Sequence, residues 1–148
     1  MRMPDKKEST RFATRAVHSG TQHIGDAVNT PIFQSSTYKL TDERYAGWAA
    51  GAQHTLLYAR LSTVNSDAVA QKLAAMEHGE DAETFSSGMG AISTTLLALL
   101  NEGDHMVASA DIYGGTYGLL TEELSRFGLS TTMANMRDPL SYEAAIQD

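Results

Sequence analysis

Gly88 and Gly90, set between Ser86-Ser87 and an apolar run, are the residues of this chain best suited to holding an anion. Ala82 to Phe85 reads as a short strand, whereas Met89, Ile92, Leu96, Leu97, Leu99 and Leu100 recur at helical spacing, so the period changes across the glycines. A helix that starts there leaves its first amides without partners, and its dipole adds partial positive charge. A phosphate can then be held without lysine or arginine. Gly88 and Gly90 present no side chain to block its approach. Such a turn also occurs wherever strand passes into helix in a parallel α/β protein, so other residues must supply the case for a ligand.

Tyr113 supplies part of it, in Asp111-Ile112-Tyr113-Gly114-Gly115-Thr116-Tyr117, directly after an expected strand from His105 to Ser109. Open parallel sheets place ligands at the carboxyl ends of their strands, so this segment and the Ser86 to Gly90 turn are expected at one edge. An aromatic ring and a phosphate cradle can there face one ligand. Read alone, Tyr-Gly-Gly is a flexible turn with a half-buried tyrosine. A third element is Leu57-Tyr58-Ala59-Arg60. Tyr58 and Arg60 point to the same side if this stretch is extended, and a phenol with a guanidinium suits a phosphate oxygen.

Other chemistry is excluded by composition. No cysteine occurs, which removes disulfides, thiolate nucleophiles and zinc-thiolate sites. His18, His23, His54, His78 and His105 show no spacing that puts two on one helical face, so no metal site is expected. Lys6, Lys7, Lys39 and Lys72 are assigned to solvent. A net charge of -7 disfavours nucleic acid and anionic membrane surfaces as partners. The polar start, Met1 to Arg15, lacks the apolar core of a secretory signal, and Leu96 to Leu100 is too short to cross a bilayer. A cytoplasmic location is expected.

The elements that must position these residues divide unevenly. At 148 residues with 42% hydrophobic and 20% charged, the chain suits one soluble core. Residues 1–60 carry no sustained pattern beyond a turn or two near Asp42 to Ala52, and are expected to be a partly ordered leader or an arm lying on another subunit. From residue 66 the pattern becomes regular. A helix is expected from Ser66 or Asp67 to Gly79, with Val69, Leu73 and Met76 on one face. A second helix spans Met89 to Leu100, and a third runs from Thr116 to Phe127 with Tyr117, Leu120, Leu124 and Phe127 together and Gly128 as its stop. Leu129 to Asn135 reads as a strand, and Asp138-Pro139 as an N-cap with proline at the first helical position. Strands alternating with helices imply right-handed β-α-β units, hence an α/β fold with a mostly parallel sheet flanked by helices. Three such strands leave an edge and a face unfinished, so residues 61–148 are expected to be the first portion of a larger domain.

In this order and spacing the segments resemble the Cys/Met-metabolism family of pyridoxal-phosphate enzymes, the cystathionine γ-synthases, cystathionine γ-lyases, methionine γ-lyases and O-acetylhomoserine sulfhydrylases. The resemblance covers nearly the whole chain. It rests on Thr14-Arg15-Ala16-Val17-His18-Ser19-Gly20, Pro31-Ile32-Phe33-Gln34-Ser35-Ser36-Thr37-Tyr38, Tyr58-Ala59-Arg60, Ser87-Gly88-Met89-Gly90-Ala91 and Tyr113-Gly114-Gly115-Thr116. It implies a fold-type I architecture in which the Gly88 and Met89 amides, with Ser87, hold the phosphate of pyridoxal 5'-phosphate. Tyr113 would stack on the pyridine ring and assist proton transfer near the leaving group. Tyr58 and Arg60 would reach the phosphate of a neighbouring subunit, giving an active site shared across a dimer and a homotetramer as the assembly. The pattern departs in one place, where Thr63-Val64-Asn65 stands for the usual Asn-Pro-Thr.

The same resemblance calls for a Schiff-base lysine, a carboxylate at the pyridine nitrogen and an arginine for the substrate carboxylate, all beyond the matching region. The chain therefore reads as the amino-terminal portion of an enzyme that cleaves or replaces the γ- or β-substituent of a homoserine-, cysteine- or methionine-type substrate, inactive by itself. It would be completed by further sequence or by a second chain. Tyr113-Gly114-Gly115-Thr116 leans towards cystathionine- and acyl-homoserine-using members, since many methionine γ-lyases carry cysteine after the first glycine. Two other readings remain: a non-catalytic assembly or phosphate-binding fragment, and a dinucleotide- or S-adenosylmethionine-binding domain using Gly88, Gly90 and Asp111.

Overall fold

The computed structural model describes residues 11–51 and 55–147, which form two compact units divided between Thr84 and Phe85. Lys6, Lys7, Ala52 and His54 lie outside the described residues.

The first unit holds α1 (Phe12–His18), α2 (Asp42–Ala49) and α3 (Val64–Glu77). α1 is absent from the sequence-based expectation: its seven residues have no side-chain cap and none is buried, so neither signal marks it in the sequence. α2 falls inside the expected stretch and begins at Thr41, whose side chain accepts from the Arg44 amide, with Asp42 and Glu43 favourably placed in the first turn. α3 starts earlier than expected. Thr63 is its N-cap and Ser66 its third residue, and the two close a reciprocal capping box. The departure from Asn-Pro-Thr thus keeps a capping side chain, in Thr63, and puts Val64 where the proline would begin the helix.

α3 does not stop on Gly79. His78 takes the left-handed conformation, φ 59°, and the Gly79 amide reaches back to the Ala74 carbonyl at 2.9 Å. A left-handed non-glycine residue is strained by about 1 kcal/mol. His78→Gly is therefore expected to raise stability by about 1 kcal/mol, read as a higher denaturant midpoint, because the exposed Arg15–His78 hydrogen bond at 3.2 Å is all it gives up.

The buried face of α3 also differs from expectation: Val64, Ala68, Ala70 and Ala74 are inside, while Val69 and Leu73 are 51% and 41% exposed. The cause is close backbone approach. Gly20, at φ +71°, sits so near α3 that an added Cβ would lie 2.3 Å from the Ala68 carbonyl oxygen, and only small side chains leave room. Lys72, expected in solvent, keeps its ammonium exposed yet donates to the Val17 carbonyl at 3.0 Å, the last turn of α1.

In the second unit β1 (His105–Ser109) pairs in parallel with β2 (Ser130–Ala134), from His105 opposite Ser130 to Ser109 opposite Ala134. The parallel α/β organisation agrees with the expected fold class. Residues 82–85, read as a first strand, have no regular secondary structure, because no described strand pairs with them. β1 is flanked by α4 (Gly88–Leu99) and α5 (Gly114–Gly118). The expected long helix through Phe127 breaks up: α5 passes into a π-helical turn, Leu119–Glu123, and a 3-10 turn, Leu124–Phe127, ending on Gly128 at φ 80°. The change of winding explains why Leu120 and Leu124 are buried while Tyr117 and Phe127 are 45% and 64% exposed. The Thr131 hydroxyl donates to the Leu120 carbonyl at 3.4 Å, giving β2 a polar tie to that turn. α6 (Pro139–Ala145) begins as expected, with Asp138 accepting from the Leu140 amide and proline in the first turn.

Leu120, Leu124 and Leu129 form the core, packed by Leu96, Leu100, Met106, Ile112 and Met133 among others. Of the apolar residues that recur at helical spacing along α4, Ile92, Leu97 and Leu99 are exposed. A helix apolar on most sides needs cover on more than one side, and the described residues of this unit provide it on one only.

Candidate functional site

Ser87 is extended, φ −155° and ψ 154°, and stands as N-cap of α4. Its hydroxyl oxygen accepts from the Gly90 amide at 3.0 Å, and its carbonyl accepts from Ala91 at 3.1 Å. That leaves the Gly88 and Met89 amides, which have no hydrogen-bond partner among the described residues. The glycines serve different ends. A Cβ on Gly90 would press on the Ser87 hydroxyl at 3.1 Å, so Gly90 permits the cap, whereas a Cβ on Gly88 would meet nothing within 4 Å and its side is open. The Ser87 oxygen is already used as an acceptor, but its proton is free to be donated. Two amides, one hydroxyl proton and a positive helix end make an arrangement suited to a phosphate dianion. On this observation the residues present fit the phosphate end of pyridoxal phosphate.

Tyr113 belongs to the same unit. It is the N-cap residue of α5, its carbonyl accepts from the Tyr117 amide at 2.9 Å, and the residue is 73% exposed. Thr116, in the first turn of α5, donates its hydroxyl to Met89 Sδ at 3.5 Å, so the beginnings of α4 and α5 are brought together. In the sequence Thr116 stands inside a motif without a role of its own. Its position three residues after an N-cap is the available signal. Ser87, Gly88, Met89 and Tyr113 thus stand at the starts of two helices of one unit that the Thr116–Met89 contact links, although only Tyr113 follows a strand.

Tyr58 and Arg60 lie in the first unit, and their local geometry corrects one expectation. The stretch is not extended after Tyr58: the Leu61 and Ser62 amides both turn back to the Tyr58 carbonyl, at 2.8 and 3.1 Å. The two side chains still meet, with the Arg60 guanidinium 5.5 Å from the centre of the Tyr58 ring. Backbone bonds from Tyr38 to Leu57 (3.0 Å) and from Ala59 to Ser36 (2.8 Å) hold the motif against residues 36–38. The other end of that segment is tied down by Asn65, whose amide oxygen accepts from Phe33 at 2.8 Å and whose amide nitrogen donates to the Pro31 carbonyl at 2.9 Å. In the sequence Asn65 stands out only as part of a departure from the resembled pattern. Side-chain pairing with a distant backbone leaves no mark in local sequence.

Among the described residues no group of histidines and carboxylates could hold a metal ion. Neither Lys39 nor Lys72, the lysines that are described, belongs to the unit that carries Gly88 and Tyr113.

Comparison with known proteins gives a consistent picture. The profile of the family described as Cys/Met metabolism PLP-dependent enzyme matches residues 13–148. An L-methionine gamma-lyase of Porphyromonas gingivalis is 41% identical over 138 residues, which cover 92% of this chain and 35% of the relative. The crystal structure of cystathionine gamma-lyase from Lactobacillus plantarum complexed with L-serine superposes with a TM-score of 0.77 at 32% identity, covering 93% of this chain and 34% of that one. The crystal structure of metB from Corynebacterium glutamicum does so with a TM-score of 0.82 at 28% identity, over 97% and 36% of the respective chains. The chain spans about a third of the length of each of these proteins.

Proposed function

This chain belongs to the Cys/Met metabolism family of pyridoxal-phosphate-dependent enzymes, and from that premise we propose that it is the amino-terminal portion of an enzyme that breaks or replaces the γ- or β-bond of a homoserine-, cysteine- or methionine-type amino acid. When bound, pyridoxal phosphate supplies an electron sink for the substrate α-carbon. The residues of this chain have simpler duties. Gly88 and Met89 donate their amides to the phosphate, and Ser87 adds its hydroxyl proton. Tyr113, exposed at the start of α5, would lie against the pyridine ring and assist proton transfer near the leaving group. Tyr58 and Arg60, clamped together, reach the phosphate of a neighbouring subunit, which makes residues 1–60 an intersubunit arm, residues 61–148 the start of the cofactor-binding domain, and the assembly a tetramer of active-site-sharing dimers. The Schiff-base lysine comes from further sequence or a second chain. Among the described residues no helix is long and apolar enough to cross a membrane, in keeping with a cytoplasmic enzyme.

The pair of unpartnered amides beside an exposed tyrosine is the observation that carries this reading. It is tested by comparing pyridoxal phosphate with pyridoxal in a binding titration. Recognition through the phosphate makes pyridoxal at least about tenfold weaker, roughly 1.4 kcal/mol. Equal affinities, or saturable binding of NAD or S-adenosylmethionine in place of pyridoxal phosphate, would contradict it.

A further inference from the structure

We propose that a hollow between α3 and the end of α1, in the first unit, binds a small oxyanion, a phosphate or carboxylate group, through Lys72, Thr21 and Thr30. The hollow measures about 360 Å³, at the smaller end of the range for small-molecule sites. One wall is a single stripe of α3, because Asn65, Ala68, Val69 and Lys72 are spaced three, four and seven residues apart. Facing it are the 17–21 turn and Asn29-Thr30. Gly20 and Ala68 add little side-chain bulk to the space between these walls.

The polar side chains of this lining can all donate hydrogen bonds and none is a carboxylate, in a chain whose net charge is -7. Lys72 spends one ammonium N–H on the Val17 carbonyl at 3.0 Å and retains two, and it forms no ion pair among the described residues. The Thr30 oxygen accepts from the Gln22 amide at 2.8 Å, which leaves its proton to be donated. Asn65 gives one amide N–H to the Pro31 carbonyl and keeps the other. The side chains of Thr21 and Asn29 have no hydrogen-bond partner among the described residues. A half-buried ammonium without a counter-charge, ringed by unspent donors, is matched by a ligand that carries negative charge on several oxygens. A cation would be repelled by Lys72, and an apolar ligand would strand the hydroxyls and amides. The bonds from Lys72, Thr30 and Asn65 also fix the walls in advance, so little ordering opposes binding.

The test follows backbone amides by NMR while inorganic phosphate is titrated into the chain, with sodium chloride at matched ionic strength as the control. The Gly20, Thr21 and Thr30 amides are expected to move along one saturating curve that chloride does not reproduce. The Gly88 and Met89 amides, in the other unit, report the Ser87 turn separately, so the failure of one site is not read as the failure of the other. Lys72→Met keeps the aliphatic stem and removes the charge, and should weaken binding at Thr21 and Thr30 by about tenfold or more. Thr21→Val removes a hydroxyl that holds no bond in the described chain, so it should leave the thermal midpoint unchanged and weaken binding several-fold. It decides the matter if Lys72→Met fails to fold. A parallel titration with malonate distinguishes the two sources of the oxyanion: tighter malonate binding at the same amides names a carboxylate, tighter phosphate binding a phosphate. No saturable shift at residues 20, 21 and 30 with either anion, shifts that chloride matches, or native affinity in folded Lys72→Met or in Thr21→Val overturns the proposal.

Discussion

Gly20→Ala is expected to lower stability by about 3 to 4 kcal/mol, because a left-handed backbone that an L-residue resists is combined with a methyl group forced onto a helix. At φ +71° the strain is about 1 to 2 kcal/mol. The greater part of the loss is steric: the new Cβ would lie 2.3 Å from the Ala68 carbonyl oxygen and 2.9 Å from the Lys72 amide nitrogen, both backbone atoms of α3 that cannot swing aside. Either α3 shifts, opening its alanine face, or the 17–21 turn lifts and the Lys72 to Val17 bond is lost. Gly25 is the control, because its φ is +58° but nothing lies within 4 Å of an added Cβ. Gly25→Ala should show the backbone strain alone, about 1 kcal/mol. Urea midpoints of the two variants measure the difference, and equal losses would refute the close approach of residue 20 to α3.

Asn65→Leu has the second largest expected effect, a loss of about 2 to 4 kcal/mol, because it orphans a part-buried amide and a part-buried carbonyl at once. Asn65 acts towards residues 31–33 as a neighbouring strand would, accepting from one residue and donating to another two positions away. Those residues lead into 36–38, which carry the backbone bonds to Leu57 and Ala59 on either side of Tyr58. Cutting the tie at Asn65 should therefore loosen the Tyr58–Arg60 pair without touching it. Hydrogen exchange checks this: the Phe33 amide should lose protection first, and those of Tyr38 and Ala59 should follow. Asn65→Asp, which keeps the acceptor for Phe33 but turns a carboxylate to the Pro31 carbonyl, is expected to fall between native and leucine.

What can be read from the residues follows from how local each cause is. The Ser87 turn, the ends of β1, the Gly128 stop and the Asp138-Pro139 start are legible because each depends on two to four adjacent residues whose conformational preferences agree. The buried face of α3 is not. Val69, Leu73 and Met76 make the more apolar stripe, yet the close seat of Gly20 selects alanines, a decision taken across some fifty residues of chain. The broken helix after Tyr117 likewise reads as one continuous period, since nothing local announces a π-turn that shifts every later residue around the axis. For the candidate site, the free amides of Gly88 and Met89 follow from the start of a capped helix, and Tyr113 from the rule of strand ends. Thr116 and Asn65 emerge only in three dimensions, one through a contact between helices and the other through a side chain completing a distant backbone. The family resemblance reaches further than local physics because it joins segments no single pattern connects.

The most direct test is an amide and tyrosine-ring NMR titration of the chain with pyridoxal phosphate. The Gly88 and Met89 amides and the Tyr113 ring should move together along one saturating curve, while the Gly90 amide, already given to Ser87, moves far less. Saturable binding that leaves Gly88 and Met89 still, or that shifts them without Tyr113, would show that these groups do not share one ligand.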